Sequence, residues 1–337
     1  LADAIAPILS LLDALPPDDA FRALDAHERR EHVLEALVRL IVRESERQPL
    51  VLLLENLQWI DPETQALLDT LLERMGSARL LLLVDYRPDY EHGWANRPGF
   101  TELRIDSLPQ ADADELLRTL LGDARALRPL RELLTHRGSG NPFFLEEIVR
   151  ALVETKVLVG ERGAYRLAGE LGALQVPPTI QAVLAARIDR LPLDEKLLLQ
   201  SASVIGSDVP QALLEAIAEV PADRVGQALT SLHNAGFLYE ASLFPDVVYR
   251  FKSALTRDVA YASLLREQRR VHHARIVEAI ERLYHDRRTS HADQLAFHAS
   301  RGEVWAKALL YNRQVGMRAV LHAANAEAVR ALQDALA

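Results

Sequence analysis

The chain has 337 residues, 49% of them hydrophobic and 26% charged, and 39 Lys plus Arg against 48 Asp plus Glu give a formal net charge of −9. That is globular composition, long enough for two or three domains of roughly 100–200 residues each, and its acidic balance argues against non-specific binding to nucleic acid or to an anionic membrane surface. The absence of Cys excludes disulfides and thiolate metal sites and permits a reducing, cytoplasmic setting, and no run reaches the ~18 apolar residues of a membrane span.

Leu1 to Leu12 carries Asp3 and no basic n-region, so it is expected to be an amphipathic helix and not a signal peptide. The chain starts with Leu1 and is expected to be a piece of a longer product. Ala23 to Arg47 has a helical period, with Leu34, Leu37, Val38 and Ile41 on one side. Pro49 ends it. Leu50 to Leu54 is a continuous apolar run stopped by Glu55, the pattern of a strand buried on both faces of a parallel sheet. Asp61-Pro62 then opens a helix through about Met75, with Asp61 as cap and Pro62 at the first position. Leu80 to Val84 is a second buried strand, and Thr101 to Ile105 is expected to be a third.

After Pro109 helical patterns take over, at about 110–121, 124–137 and 142–155. Val157 to Leu167 has a β pattern that turns at Gly160-Glu161-Arg162-Gly163, and Val176-Pro177-Pro178 resembles a linker. Helices are expected near 179–190, 194–205, 210–218 and 222–234, followed by Gly236–Glu240 and Val247–Phe251 around a turn with Pro245-Asp246. Helices closed by a hairpin are the winged-helix arrangement. From 254 on the chain is helical, and Trp305 to Ala337 has room for one helical-hairpin repeat of about 34 residues. Arg266, Arg269, Arg270, His272, His273 and Arg275 form a basic run, expected to be a solvated helix face.

The apolar run ending in Glu55-Asn56 carries the most chemical information. An acid at the carboxyl end of a buried strand can hold the Mg²⁺ of a nucleotide, and ligands collect at such strand ends. The same pattern also fits a strand that simply meets solvent. The partner motif G-x-x-x-x-G-K-[ST], which cradles phosphates, is absent. The four lysines are Lys156, Lys196, Lys252 and Lys307, and Lys252, the one that precedes a Ser or Thr, follows a strand and no glycine loop. Gly138-Ser139-Gly140-Asn141-Pro142 leads into a helix with Asn141 as cap, which on local grounds is a well-capped helix start. The eleven His are scattered, and His272-His273 sits in a helix without a carboxylate at metal spacing.

Four stretches together resemble the STAND class of AAA-like signalling ATPases: Leu50–Leu54 with Glu55-Asn56-Leu57-Gln58-Trp59-Ile60-Asp61-Pro62-Glu63-Thr64, Leu81–Tyr90, Gly140–Glu147, and Phe251–Tyr261. More narrowly, the chain is similar to the ATPase–TPR region of bacterial proteins that often carry a class III adenylate or guanylate cyclase domain. The resemblance implies a partial P-loop NTPase α/β core at 1–107, an all-α lid at 108–175, a winged-helix-like domain at 176–265 and a helical, TPR-like tail at 266–337. It implies that Glu55 holds Mg²⁺, that position 56 helps activate water, and that Arg87 senses the γ-phosphate. Gly140, Asn141 and Pro142 match the lid motif beside adenine, and Ser253 stands at the end of the winged-helix hairpin that reports on the nucleotide, where the charge of Lys252 is expected to attract the phosphates. Asn56 replaces an acid and cannot take a proton, and Ser253 replaces a His. The expected ligands are ATP or ADP with Mg²⁺. The expected partners are proteins on the helical tail and an attached cyclase or other output domain, with no membrane and no direct nucleic acid. Catalysis is expected only in the full-length protein. A transcription regulator's ATPase and a degenerate scaffold remain alternatives.

Overall fold

The computed structural model describes residues 2–12, 14–168, 177–244, 246–321 and 324–336. The linker residue Val176, the turn residue Pro245 and the last residue Ala337 lie outside the described residues. The chain divides into two compact units: Leu1–Glu102 with Thr289–Phe297 and Trp305–Ala337, and Leu103–Arg288 with His298–Val304.

In the first unit α1 (Ala2–Leu11) precedes α2 (Ala26–Arg47), which opens on a capping box. The Asp25 carboxylate accepts the Glu28 N–H at 2.9 Å, and Glu28 accepts the Asp25 N–H at 3.1 Å. The strand β1 (Leu50–Leu54) leads through α3 (Pro62–Arg74) to β2 (Leu80–Val84). These two strands pair in parallel, from Leu50 opposite Leu80 to Leu54 opposite Val84. Asp61 caps α3 as its sequence position implies, accepting the Glu63 and Thr64 amides at 2.9 and 3.0 Å.

Two expectations for this sheet fail. The strands are not buried on both faces: Val51, Leu53, Leu81 and Leu83 are 61%, 59%, 57% and 53% exposed, while Leu54, Leu82 and Val84 turn toward buried Leu57, Leu68 and Trp94. A continuous apolar run says that both faces could be covered, not that the cover is present. Nor does 101–105 form a strand. Among the described residues the sheet has only β1 and β2, and Leu103 and Ile105 are 83% and 89% exposed. Alternating apolar residues suit a pleated surface but do not supply an edge to pair with.

The second unit begins with α4 (Gln110–Leu121), α5 (Arg128–Gly138) and α6 (Pro142–Glu154), packed around Leu117, Leu121, Leu130, Leu134, Leu145 and Ile148. The short antiparallel pair β3 (Leu158–Val159) and β4 (Arg166–Leu167) follows. Next come α7 (Ile180–Asp189), α8 (Leu193–Ile205), β5 (Asp208–Pro210), α9 (Gln211–Ile217), α10 (Ala222–Asn234), β6 (Leu238–Ser242) and β7 (Val248–Phe251). The expected hairpin is therefore the larger part of a three-stranded antiparallel sheet of order β5-β7-β6, with Asp208 opposite Arg250. Its core joins Leu198, Leu214, Leu229, Leu232, Phe237 and Phe251.

The helices α11 (Ala254–Ala262), α12 (Arg266–Leu283) and α13 (Ala292–Arg301) come next. The basic run on α12 is only in part the solvated face that its composition suggests, since Arg266 and Arg275 are exposed. His272 and His273 are buried, and Arg270 and Arg275 pair with Glu267 and Glu219. In the first unit α14 (Trp305–Leu321) and α15 (Asn325–Leu336) pack together over Ala319, Ala324 and Ala328. A Cβ on Gly316 would lie 2.7 Å from the Leu332 side chain. Among the described residues no helix is long and apolar enough to cross a membrane.

Candidate functional site

Glu55, Asn56 and Arg87 come together at the carboxyl end of the β1–β2 pair. Because Leu54 lies opposite Val84, the residues that follow the two strands, Glu55 and Asp85, leave the sheet side by side. The chain then turns back at Asn56, whose φ of 60° and ψ of 48° are left-handed. Asn is among the few side chains that tolerate this conformation. Three bonds to Asp85 fix the turn: the Asn56 N–H donates to the Asp85 carboxylate at 2.7 Å, the Asp85 N–H to the Leu54 carbonyl at 3.1 Å, and the Leu57 N–H to the Asp85 carbonyl at 3.0 Å.

Gln58 bridges the next residues. Its amide donates to Asn56 Oδ1 at 3.2 Å, and its Oε1 accepts the Arg87 N–H at 3.2 Å. The Arg87 guanidinium carbon stands 6.0 Å from the centre of the Trp59 ring. Glu55, Asn56, Asp85 and Arg87 are all exposed. This end can therefore offer a carboxylate to a hydrated cation and a guanidinium to an anion, the donor set of the metal and γ-phosphate side of a nucleotide site. Asp85 is the residue of this end to which the motifs gave no role, although an apolar strand ending in an acid, Leu80 to Asp85, repeats the pattern of Leu50 to Glu55.

An open cleft of about 730 Å³ lies in the same unit, lined in part by Asp61, Gln65, Asp69, Glu73, Trp94 and Arg97. Three of its carboxylates, Asp61, Asp69 and Glu73, are taken up by the fold. Burial pushes the Asp61 carboxyl up, but bonds from the Thr64 hydroxyl and the Thr64 and Glu63 amides outweigh that and hold it below the usual range. Asp69 accepts the Trp94 indole N–H at 2.7 Å, and Glu73 faces Arg97 at 3.5 Å.

Gly140, Asn141, Pro142, Lys252 and Ser253 belong to the second unit. Gly140 has φ +71°, and a Cβ there would meet the Leu108 carbonyl oxygen at 2.3 Å, so only glycine fits. The Leu108 N–H donates to the Gly140 carbonyl at 2.8 Å. Asn141 caps α6 by accepting the Phe144 N–H at 3.3 Å, and Pro142 takes the first helical position. Lys252 Nζ lies 3.7 Å from Glu146, one turn into α6, which ties the end of β7 to the start of that helix. The Ser253 hydroxyl caps α11, accepting the Thr256 N–H at 3.1 Å.

Beneath these residues is an ion cluster that the sequence does not announce. Arg187 of α7 is 1% exposed and bonds to Glu147, which is also 1% exposed. It also bonds to Glu154 at 2.9 and 3.0 Å and to the Ala235 carbonyl at 2.8 Å, and it lies over the Phe237 ring at 4.5 Å. Arg150 reaches the same Ala235 carbonyl at 2.9 Å. Burying such charges is tolerable only because every one is paired. The cluster fastens α6 to α7 and to the turn before β6.

Residues 2–84 match the AAA ATPase domain. The matched stretch contains α1 to α3, β1, β2, Glu55 and Asn56, so the N-terminal part of the chain is similar to a family that binds ATP with Mg²⁺. Over 241 residues the chain is 26% identical to an uncharacterized protein of Rhizobium meliloti (strain 1021), a match that takes in 71% of this chain and 23% of that protein. The chain thus spans about a quarter of the length of this relative.

Proposed function

We propose that the chain is the regulatory nucleotide-binding module of a bacterial signal-transduction ATPase, with an adenylate or guanylate cyclase or another output domain attached in the full-length polypeptide. The observation that carries the reading is Glu55, an exposed carboxylate at the carboxyl end of β1 inside the stretch similar to an AAA ATPase domain. In this reading Glu55 orients the hydrated Mg²⁺ of ATP and Arg87 faces the γ-phosphate. The lid motif Gly140-Asn141-Pro142 stands beside adenine, and Lys252, already placed against Glu146 of α6, passes the nucleotide state to the sheet of the winged-helix-like domain. The four parts are the core at 1–107, the lid at 108–175, the winged-helix-like domain at 176–265 and the TPR-like tail at 266–337, with protein partners on the tail.

DNA is not the proposed partner of the winged-helix-like domain. On α10, Arg224 is bonded to Asp194 at 3.0 Å and sits beside Asp223, whereas a DNA-reading helix needs free cations. A degenerate scaffold is the second reading, favoured by Ser253, whose hydroxyl is engaged in a helix cap.

Calorimetry with Mg-ATP separates the two. The full-length polypeptide binds Mg-ATP and ADP, and Glu55→Gln removes the Mg²⁺ dependence of ATP binding. The chain by itself has no glycine loop or loop lysine and gives no micromolar binding. A full-length protein blind to both nucleotides would leave the scaffold.

A further inference from the structure

The ATPase reading leaves a chemical gap at position 56, because an amide there cannot accept a proton from water. We infer that Asp85 fills this gap and is the general base of the site. The inference rests on the ATPase reading and on three observations. First, Leu54 and Val84 are paired, so the acids that follow them, Glu55 and Asp85, emerge together from the parallel strands at the end where ligands collect. Second, the Asp85 carboxylate is in direct contact with the residue whose acid is missing, 2.7 Å from the Asn56 N–H. Third, the carboxylate is built in place. The Asp85 main chain is bonded on both sides to β1 and its turn, and one carboxylate oxygen is anchored on Asn56. Asp85 is exposed, so the second oxygen can meet water.

The two acids thus divide the work. Glu55 serves the cation. Asp85 takes a proton from the attacking water as its oxygen bonds to the γ-phosphorus. The bond from that phosphorus to the bridging oxygen breaks, and ADP leaves with the electron pair. The proton passes from Asp85 to solvent, and the products are ADP and inorganic phosphate. Gln58 acts as a positioning residue, since it holds Asn56 Oδ1 and the Arg87 amide at once.

The experiment is a carboxylate exchange in the full-length polypeptide. Asp85→Asn keeps an oxygen for the Asn56 amide and removes the base. It is expected to lower kcat for ATP hydrolysis by about 100-fold or more and to leave ATP affinity and ligand-free melting unchanged. The double variant Asn56→Asp with Asp85→Asn returns a carboxylate to the neighbouring residue and recovers part of the lost turnover. Undiminished kcat in Asp85→Asn overturns the inference. So does a loss of kcat that comes with lost ATP affinity or a lowered melting temperature, which would make Asp85 a structural residue of the turn. A wild-type protein that binds Mg-ATP but never hydrolyses it also refutes Asp85 as base and leaves nucleotide binding standing. One that binds no nucleotide refutes the ATPase reading itself.

Discussion

Two of the chain's sheets handle their surfaces differently. In the β1–β2 pair each strand is bonded along one edge only, one face packs on Leu68 and Trp94, and the other presents Val51, Leu53, Leu81 and Leu83 to solvent. In the β5-β7-β6 sheet Val209, Leu238, Tyr249 and Phe251 are buried against α8, α9 and α10. Antiparallel sheets are stable with one wet face, whereas parallel sheets are found with both faces covered. The second sheet therefore has a closed interior of its own. The first has the right strands in the right register without the matching interior, so the energetic weight of a residue depends on which sheet it serves.

The sharpest break of this comparison is Arg187→Ala. It leaves buried Glu147 with the more distant Arg150 at 3.9 Å in place of its direct partner, and breaking such a pair costs about 3–5 kcal/mol. Urea denaturation should show the loss in the transition of the second unit. A shift in the midpoint of only the size seen for surface substitutions would mean that the cluster is solvated.

Acid is the next probe, through the buried pair His273 and His298, whose Nδ1 atoms lie 2.8 Å apart. Burial, then the neighbouring His298 and Arg301, push the His273 ring down to about 3. Burial, then Arg301, push His298 down to about 4. Above pH 6.5 these rings are neutral in the folded and unfolded chain alike. As pH falls below 6.5 the unfolded chain takes up protons that the folded chain refuses until near pH 4 and 3. Stability is therefore fully present above pH 6.5 and drains away through that window, by on the order of a few kcal/mol. Denaturation midpoints at several pH values measure the slope, and His298→Gln should flatten it.

The smallest effect is expected on the bare face of the first sheet. Leu83→Ser should change stability by no more than about 0.5 kcal/mol, against about 2–5 kcal/mol for truncating a buried leucine such as Leu229 to Ala. A large loss for Leu83→Ser in the chain alone would show that this face is covered.

What was legible in the sequence was local. The caps at Asp61 and Asn141 follow from side chains two to three residues away from the amides they accept. The strands at 50–54 and 80–84 follow from uninterrupted apolar runs. The strand β5 escaped because three residues ending in Pro210 carry no periodicity, and its existence depends on the β7 edge. For the candidate site, the apolar run pointed to Glu55, and the family resemblance pointed to Asn56 and Arg87. The contact between Asp85 and Asn56 joins residues 29 apart, and Arg187 meets Glu147 across 40 residues. No local pattern records such pairings, because they are chosen by register and packing after the elements form.

The left-handed turn at Asn56 has an evolutionary consequence. That backbone conformation admits Gly, Asn and Asp readily and most other side chains only at a cost. Of those three, one is an acid and one is its neutral isostere. Selection can therefore exchange an amide for a carboxylate at position 56 by changing a single functional group, with the turn, its bond to Asp85 and the strand register left as they are. On the proposed ATPase reading, a second carboxylate beside Asp85 can thus be gained or lost without a change of fold, and the exchange is reversible.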